Sequence, residues 1–229
     1  QFYLVWPLLL YFGLGRFGRS GMALFAACGA LASVVLMAVL FDPSHDPTRI
    51  YFGTDTRAMP ILVGVVLAFV WPVMGHVARP SRAARLTVNL GGTAGLLLVF
   101  AAVVGWSDYD PFVYRGGLLV AALGAALLIA SAAHPYSTVG RGLGVAPLVW
   151  LGARSYGIYL WHWPVMAMSR PERDTGMDLW LLVPLQILVT LALATLSYRY
   201  LEMPIRRGEM QERVRSWLAR TEPPRRFAV

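Results

Sequence analysis

One apolar stretch of the chain, SYGIYLWHWPVMAM, carries more hydrogen-bonding side chains than a lipid-facing helix normally holds. Ser155, Tyr159 and His162 are spaced four and three residues apart, so a helix places them on one face. Such a face points to the bundle interior or to water, because lipid offers no hydrogen bonds. The spacing fits two interpretations. One is a histidine that handles protons or binds substrate, with Tyr156 and Trp163 of the overlapping aromatic stripe as further substrate-binding residues. The other is a structural histidine hydrogen-bonded between helices, with the tryptophans and tyrosines as an interfacial aromatic belt.

Arginines close to two ends of apolar runs are candidates for binding an anion. Arg154 lies a turn and a half into the same predicted helix, where it either snorkels to headgroups or meets a phosphate-bearing ligand. The segment SYRYLEMPIRR closes the last apolar run. Arg206 and Arg207 there could hold the phosphates of a nucleotide-like donor, and Glu202 could position one of these arginines. Arginines after a last helix also fix membrane topology, so both interpretations remain open.

The loop segment YFGTDTRAMP is a third candidate site. Arg57 could orient an acceptor or an oxyanion through its planar guanidinium. Asp55 or Thr56 could instead cap a helix that we predict to begin near Met59, with a surface salt bridge beside the cap. Asp55 therefore has a structural interpretation as well as a substrate-binding one.

The opening segment QFYLVWP adds polar groups at the outer end of the first predicted helix. Gln1 and Tyr3 are expected to face the bundle interior and to bind substrate. The sequence contains no phosphate-cradling glycine loop, no G-x-S-x-G elbow and no His/Cys cluster with metal-ligand spacing. We therefore predict no bound metal or cofactor.

The composition predicts an all-α polytopic transmembrane helical bundle. Of 229 residues, 57% are apolar and only 14% are charged, against about a quarter charged in soluble domains. Several apolar runs approach the roughly 20 residues that a spanning helix needs. A β-barrel would show alternating segments of about 10 residues, and the sequence has none. The single cysteine allows no internal disulfide.

The apolar runs predict about seven helices, of which the first is partial. The first run has about 14 residues, or about 21 Å of helix against a hydrocarbon core of roughly 30 Å. We expect a helix cut by the start of the chain rather than a re-entrant segment. The domain is predicted to cover 1–207, with a basic tail over 208–229. The predicted helices are 1–14, 21–41, 59–75, 87–106, 116–133, 148–168 and 179–200.

The charges alternate from loop to loop and predict the orientation. The net charge is +8, and all 20 basic residues are arginine. If the loop holding Arg16 and Arg19 is cytoplasmic, the opposite side holds only five arginines and eight of the 12 acidic residues. The C-terminus is then cytoplasmic in the cell membrane. The positive charge follows from insertion topology and predicts no nucleic-acid partner. Residues 208–229 are expected to form a short amphipathic helix on the inner leaflet or a solvated, fraying end.

Four segments in this order resemble the acyltransferase 3 family of membrane-bound O-acyltransferases: QFYLVWPLLL, YFGTDTRAMPILVGVVLA, WLGARSYGIYLWHWPV and SYRYLEMPIRR. The resemblance implies a bundle of about ten helices that moves an acyl group, acetyl in many members, from cytoplasmic acyl-CoA to an extracytoplasmic hydroxyl. Arg57 matches the family's outer-loop arginine, Tyr159 and His162 its Y-L-x-H signature, and Glu202 its E-x-P-x-R ending.

The resemblance also implies that part of the family's machinery precedes Gln1. The family has an acidic stretch just ahead of QFYL and an essential histidine in an earlier helix. We therefore expect the chain as given to lack the general base and to be inactive alone. The expected partners are the lipid bilayer, acyl-CoA, and a carbohydrate or glycolipid acceptor, with the oligomeric state open.

The alternative function is a membrane transporter or flippase for a polar or lipid-linked substrate, in which the polar stripe is a permeation path. Such transporters are commonly built from two similar halves, and the sequence shows no such repeat. Under either function, we expect the unusual side chains to line a hydrated path between the two aqueous sides.

Overall fold

A computed structural model describes residues 2–71, 81–107, 110–171 and 175–208, apart from the side chain of Tyr3. These residues form helices, turns and loops, and no strand. Two compact units divide the chain, Gln1–Gly144 (unit 1) and Val145–Val229 (unit 2). The predicted amphipathic helix of the tail lies outside the described residues.

Nine α-helices and two π-helical segments make up the described part of the chain. In unit 1 they are α1 Phe2–Leu40, α2 Thr48–Phe52, α3 Thr54–Val70, α4 Arg82–Gly105, the π-helix π1 Val113–Gly117, α5 Leu118–Ala132 and α6 Thr138–Leu143. In unit 2 they are α7 Ala146–Met168, α8 Leu179–Ser197, the π-helix π2 Tyr198–Glu202 and α9 Met203–Arg206.

The first helix folds back on itself at Gly18. This residue has φ 64° and ψ −176°, a backbone conformation that side-chain-bearing residues rarely adopt. The two arms of α1 then run side by side, and a side chain added at Gly13 would collide with Met22. Trp6 of the first arm packs near Ala26 and Ala30 of the second. The arms correspond to the first two predicted helices.

The rest of unit 1 is built around the second arm of α1. Ala26 and Ala30 pack against Met59 and Leu62 of α3 in one apolar cluster. Helices α4 and α5 approach closely because both present glycine: a Cβ added at Gly95 would lie 2.5 Å from a backbone oxygen of α5. Dispersion at such small-residue contacts holds membrane helices together, since lipid gives no hydrophobic driving force between them.

The contacts of unit 1 separate its charges onto two ends. At one end Arg19 of the α1 turn lies over the Phe69 ring of α3, and near the start of α4 Arg85 lies over the Tyr136 ring. Asn89 of α4 accepts from Thr138, which brings α6 to this end as well. Among the described residues this end carries five arginines and no carboxylate, whereas every described acidic residue of unit 1 lies at the other end. The five are Arg16, Arg19, Arg82, Arg85 and Arg141.

Unit 2 is a helix pair with a π-helical ending. Gly157 of α7 lies against Ala194 of α8, where an added Cβ would be 3.3 Å from the Ala194 backbone. At the other end of the pair, the Gln186 amide donates to the carbonyl and hydroxyl of Ser169 at 3.2 Å and 2.9 Å. Together these contacts fix α7 against α8 along its length.

The predicted all-α bundle of about seven apolar helices is confirmed, with the two arms of α1 counted separately. Five of the described helical segments are long and apolar enough to cross a membrane. Helix α7 is 23 residues long but is not one of them, because its arginine, histidine, tyrosines and tryptophans lower its mean hydropathy. Two short helices, α2 and α6, lie in stretches that we predicted as loops.

Candidate functional site

The candidate residues form two groups, one in each unit. In unit 1 they lie at the α2–α3 corner, which we define as residues 48–60. Thr56 is fully buried there, and its hydroxyl lies 2.6 Å from the Ile50 carbonyl and 3.0 Å from the Gly53 carbonyl. The hydroxyl hydrogen is therefore held between the last turn of α2 and the residue that joins the two helices.

Arg57 follows Thr56 and is positioned by an aromatic ring. Its guanidinium carbon lies 4.2 Å from the centroid of the half-buried Tyr51 ring, a cation–π contact. In the described part of the chain, no side chain forms an ion pair or hydrogen bond with this guanidinium. Its N–H groups are therefore available to an anion or a polarised oxygen, in a fixed orientation. Tyr51, which forms this contact, gave no signal in the sequence.

Asp55 does not cap a helix, and this prediction was wrong. Helix α3 begins at Thr54 rather than near Met59; its N-cap is Gly53, and no side chain caps it. Thr56 is no cap either, because its hydroxyl donates to carbonyls instead of accepting from a backbone N–H. The Asp55 carboxylate accepts two hydrogen bonds from Arg49, at 3.1 Å and 3.0 Å.

The surface salt bridge that we considered is therefore present, but between Arg49 and Asp55 and not at Arg57. It links α2 to α3 and neutralises one arginine of the corner. The charge of Arg57 stays uncompensated by its neighbours, which suits it better than Arg49 to bind an anionic or polarised ligand.

The loop that enters the corner is shaped by two aspartates. Asp42 accepts from the backbone and hydroxyl of Ser44 and from His45, and these hydrogen bonds lower the pKa of its carboxyl to about 2. Asp46 accepts from the backbone and hydroxyl of Thr48, which lowers the pKa of Asp46 in the same way. Both carboxylates are occupied with turn formation.

In unit 2 the aromatic stripe of α7 lies on an exposed face. Tyr156, Tyr159 and Trp163 have 63%, 73% and 69% of their surface accessible. None of these three rings lines the cavity between α7 and α8. A cavity of about 320 Å³ between α7 and α8 is lined by other, mainly apolar residues such as Leu182 and Val189. Among the described residues of unit 2, the stripe does not line this cavity, and the hydrated path stays a prediction.

His162 is half-buried, and one of its ring nitrogens is occupied. Nδ1 lies 2.5 Å from the carbonyl oxygen of Tyr159, one turn back on α7. A carbonyl oxygen only accepts, so Nδ1 must carry the hydrogen. In the neutral imidazole, Nε2 then has the lone pair and can accept a proton or a hydrogen bond. The Tyr159 ring lies 5.5 Å from the His162 ring.

Arg154 lies between two aromatic rings of unit 2. Its guanidinium carbon is 4.2 Å from the Trp150 ring and 4.7 Å from the Tyr198 ring. One terminal nitrogen donates to the Trp150 carbonyl at 3.0 Å, while Nε is buried and has no hydrogen-bond partner in the described part of the chain. Stacking on two rings and the bond to the Trp150 carbonyl therefore hold this arginine in place.

Glu202 ends π2, and one of its carboxylate oxygens is buried without a hydrogen-bond partner among the described residues. Arg206 is the last residue of α9, and Arg207 follows it; both are exposed. Among the described residues no ion pair joins Glu202 to Arg206, and the role of Glu202 in positioning an arginine stays a prediction. Gln1 and the side chain of Tyr3 lie outside the described residues.

Across the described ranges, no three His, Cys, Asp or Glu side chains lie close enough together to hold a metal ion. The arginine, histidine and tyrosine side chains of the two groups can form hydrogen bonds, transfer protons and stabilise a developing negative charge.

Comparison with known proteins places the chain in a family. A family model described as an acyltransferase domain matches residues 1–199. YrhL from Bacillus subtilis (strain 168), provisionally named a peptidoglycan O-acetyltransferase, is 42% identical over 209 residues, which cover 90% of this chain and 33% of YrhL. No solved structure gives a significant match.

Two further relatives carry related names. The peptidoglycan O-acetyltransferase OatA from Listeria monocytogenes is 41% identical over 91% of this chain and 34% of OatA. The O-acetyltransferase OatA from Staphylococcus aureus is 33% identical over 90% of this chain and 34% of its own length. The chain thus spans about a third of the length of the curated relatives it matches.

Proposed function

Because the chain belongs to the acyltransferase 3 family, we propose that it is part of an integral membrane enzyme that transfers an acetyl group to a carbohydrate hydroxyl. The observation that carries this proposal is the match of the acyltransferase model to residues 1–199. The names of the relatives make peptidoglycan the first acceptor to test.

The reaction requires removal of one proton and stabilisation of one negative charge. An acceptor hydroxyl attacks the carbonyl carbon of an acyl thioester, the C–S bond breaks, and the hydroxyl proton ends on the thiolate that leaves. Negative charge develops on the carbonyl oxygen in between. Groups that bind the hydroxyl, receive its proton or donate to that oxygen therefore accelerate the transfer.

In unit 1 we assign the acceptor or oxyanion role to Arg57. Its guanidinium is stacked on Tyr51 and has no anionic partner in the described structure, while Arg49 is paired with Asp55. A planar cation that is already oriented loses little conformational entropy on binding an oxygen. Asp55 is less suited to bind substrate, because Arg49 occupies both of its oxygens.

In unit 2 we assign proton handling to His162. The contact between Nδ1 and the Tyr159 carbonyl fixes the imidazole, and Nε2 is the nitrogen left for an acceptor hydroxyl. The exposed rings of Tyr156, Tyr159 and Trp163 offer a surface on which a sugar ring can stack. The assignment of His162 rests on the tautomer that its contact with the Tyr159 carbonyl requires.

For the donor we propose acyl-CoA bound from the cytoplasm. The carboxylate-free end of unit 1, with five arginines, is the end that the positive-inside rule assigns to the cytoplasm. This orientation would also place the C-terminus there. Arg154, Arg206 and Arg207 supply further positive charge near the end of unit 2 and would help to hold CoA phosphates, with Glu202 beside them.

Thermal protection tests the donor. The full-length protein in detergent should unfold at a higher temperature with acetyl-CoA. At an acetyl-CoA concentration of 100 times Kd, binding should raise the free energy of unfolding by about 2.7 kcal/mol. Adenosine 3′,5′-bisphosphate, which has no thioester, should protect less strongly. Absence of protection by acetyl-CoA, with acetyl transfer from another donor, would overturn the CoA assignment. A transporter would move the carbohydrate without consuming acetyl-CoA.

A further inference from the structure

The α2–α3 corner contains a proline that interrupts the hydrogen bonds of α3. Pro60 has no N–H, so it cannot donate to the carbonyl of Thr56, four residues earlier. Inside a membrane protein no water is available to donate a hydrogen bond to such a carbonyl, and leaving the carbonyl unpaired costs free energy. Some other group must donate to it.

That group is the hydroxyl of Ser33, on the second arm of α1. Ser33 Oγ donates to the Thr56 carbonyl at 2.9 Å and accepts from the Met59 N–H at 3.2 Å. Ser33 is 4% exposed and Met59 is 1% exposed. A hydroxyl has one hydrogen and two lone pairs, so Ser33 can make both bonds at once.

Ser33 thus closes the hydrogen-bond gap of α3 one residue away from Arg57. The same Thr56 also ties α3 to α2 through its own hydroxyl. Three helices therefore converge on Thr56, and its backbone sets where the Arg57 side chain begins. Without the Ser33 hydroxyl, the Thr56 carbonyl would be unpaired in apolar surroundings, and the first turns of α3 would have to shift to find a donor.

We propose that Ser33 is a positioning residue for the acceptor site: by donating to the Thr56 carbonyl that Pro60 leaves free, it holds Arg57 over Tyr51. This proposal rests on the acceptor role proposed above for Arg57. Ser33 itself touches no substrate.

Acyl transfer by the full-length protein tests this, with acetyl-CoA as donor and a soluble peptidoglycan disaccharide as acceptor. Ser33→Ala should raise the KM for the disaccharide about fivefold to tenfold, the equivalent of one lost hydrogen bond. The KM for acetyl-CoA should stay unchanged. Ser33→Thr, which keeps the hydroxyl, should behave as the unaltered protein.

Pro60→Ala makes the test specific, because an alanine at position 60 supplies the missing N–H to the Thr56 carbonyl. Pro60→Ala alone should be nearly neutral, and Ser33→Ala with Pro60→Ala should return the disaccharide KM to within about twofold of normal. A double variant as impaired as Ser33→Ala would overturn the proposal, because a packing role of Ser33 is not restored by an N–H at position 60.

The controls separate this proposal from the proposed function. Ser131→Ala removes an equally buried hydroxyl at the far end of α5 and should leave the disaccharide KM unchanged. If Arg57→Ala has a normal disaccharide KM, the role of Arg57 and this proposal both fail. If Arg57→Ala is impaired and Ser33→Ala is not, only this proposal fails. Should Ser33→Ala not fold, Ser33→Cys, a weaker donor of similar size, should give an intermediate KM.

Discussion

At the contact of α1 with the α2–α3 corner of unit 1, the buried hydroxyls have partners within the protein, whereas three buried polar atoms in the described part of unit 2 have none. Ser33 and Thr56 are both under 5% exposed, and both are hydrogen-bonded. In the described part of unit 2, the unpartnered atoms are Arg154 Nε, Trp161 Nε1 and Glu202 Oε1.

This difference in internal hydrogen bonding indicates how each group of residues would bind a substrate. In the corner of unit 1, Thr56 is hydrogen-bonded and Arg57 is stacked on Tyr51, so we expect Arg57 to contribute to affinity through an orientation that is set before the ligand binds. Unit 2 holds polar atoms whose hydrogen-bonding capacity is unused within the protein. Such atoms are costly in the free protein and gain most from a ligand that can pair with them.

The largest expected effect comes from unit 2. His162→Ala removes the nitrogen proposed to handle the acceptor proton, and acyl transfer should fall about 100-fold or more at unchanged protein abundance. The measurement is acetyl incorporation by membranes that contain the full-length protein.

His45→Ala is the matched control, because His45 is an exposed histidine engaged only in the 42–48 loop. It should leave acyl transfer within about twofold of normal. Normal activity of His162→Ala would mean that His162 only packs on α7. It would exclude the proposed role of unit 2 in proton transfer.

A second pair of substitutions tests the comparison in stability. Thr56→Val keeps the shape of the side chain but loses both of its contacts to carbonyls, and should lower the free energy of unfolding by about 1 to 3 kcal/mol. Glu202→Gln is similarly conservative, and it removes a charge from a side chain with one unpartnered oxygen.

We expect Glu202→Gln to leave thermal stability unchanged or slightly raised in the absence of ligand. Its acyl transfer should nevertheless fall if the carboxylate positions an arginine at the donor. Glu202→Gln could instead lower the unfolding temperature as much as Thr56→Val does. The Glu202 carboxylate would then have a partner in the ligand-free protein, and the two units would not differ in the pairing of their buried polar atoms.

The smallest effect concerns pH. Hydrogen bonds from Ser44 and His45 hold the pKa of Asp42 at about 2, below its ordinary 3.8. Since the folded-state pKa is lowered, the stabilisation is complete above about pH 4 and is lost as the pH falls through about 2. The unfolding temperature of Asp42→Asn should therefore fall less steeply between pH 4 and pH 2 than that of the unaltered protein. If the unfolding temperatures of the two proteins fall equally steeply, the Asp42 hydrogen bonds do not contribute to stability in this pH range.

The sequence predicted the helices better than their ends. Apolar runs located both arms of α1 and helices α3, α4, α5, α7 and α8, since length and hydropathy decide which segments lie in lipid. Helix α3 nevertheless begins five residues before the predicted Met59, because the polar segment TDTRA is stabilised by contacts with α2 and α1 that its own composition does not reveal.

The candidate side chains were predicted by type, but their partners were not. Arg57 and His162 stood out because their chemistry is unusual in an apolar chain. Ser33 did not, since an isolated serine in an apolar run gives no signal, and its partners lie 23 and 26 residues away. A proline within a helix could have prompted a search for a donor, but only the packing of α1 on α3 identifies which one.

The turn at Gly18 has a consequence for biosynthesis. With no connecting loop between the arms, about 39 residues emerge from the ribosome as one apolar hairpin whose tip carries Arg16 and Arg19. We expect both arms to enter the bilayer together, with Arg16 and Arg19 staying on the cytoplasmic side, where the ribosome lies. A side chain at position 18 would strain this turn, so we expect Gly18 substitutions to lower the amount of inserted protein rather than the activity of each inserted molecule.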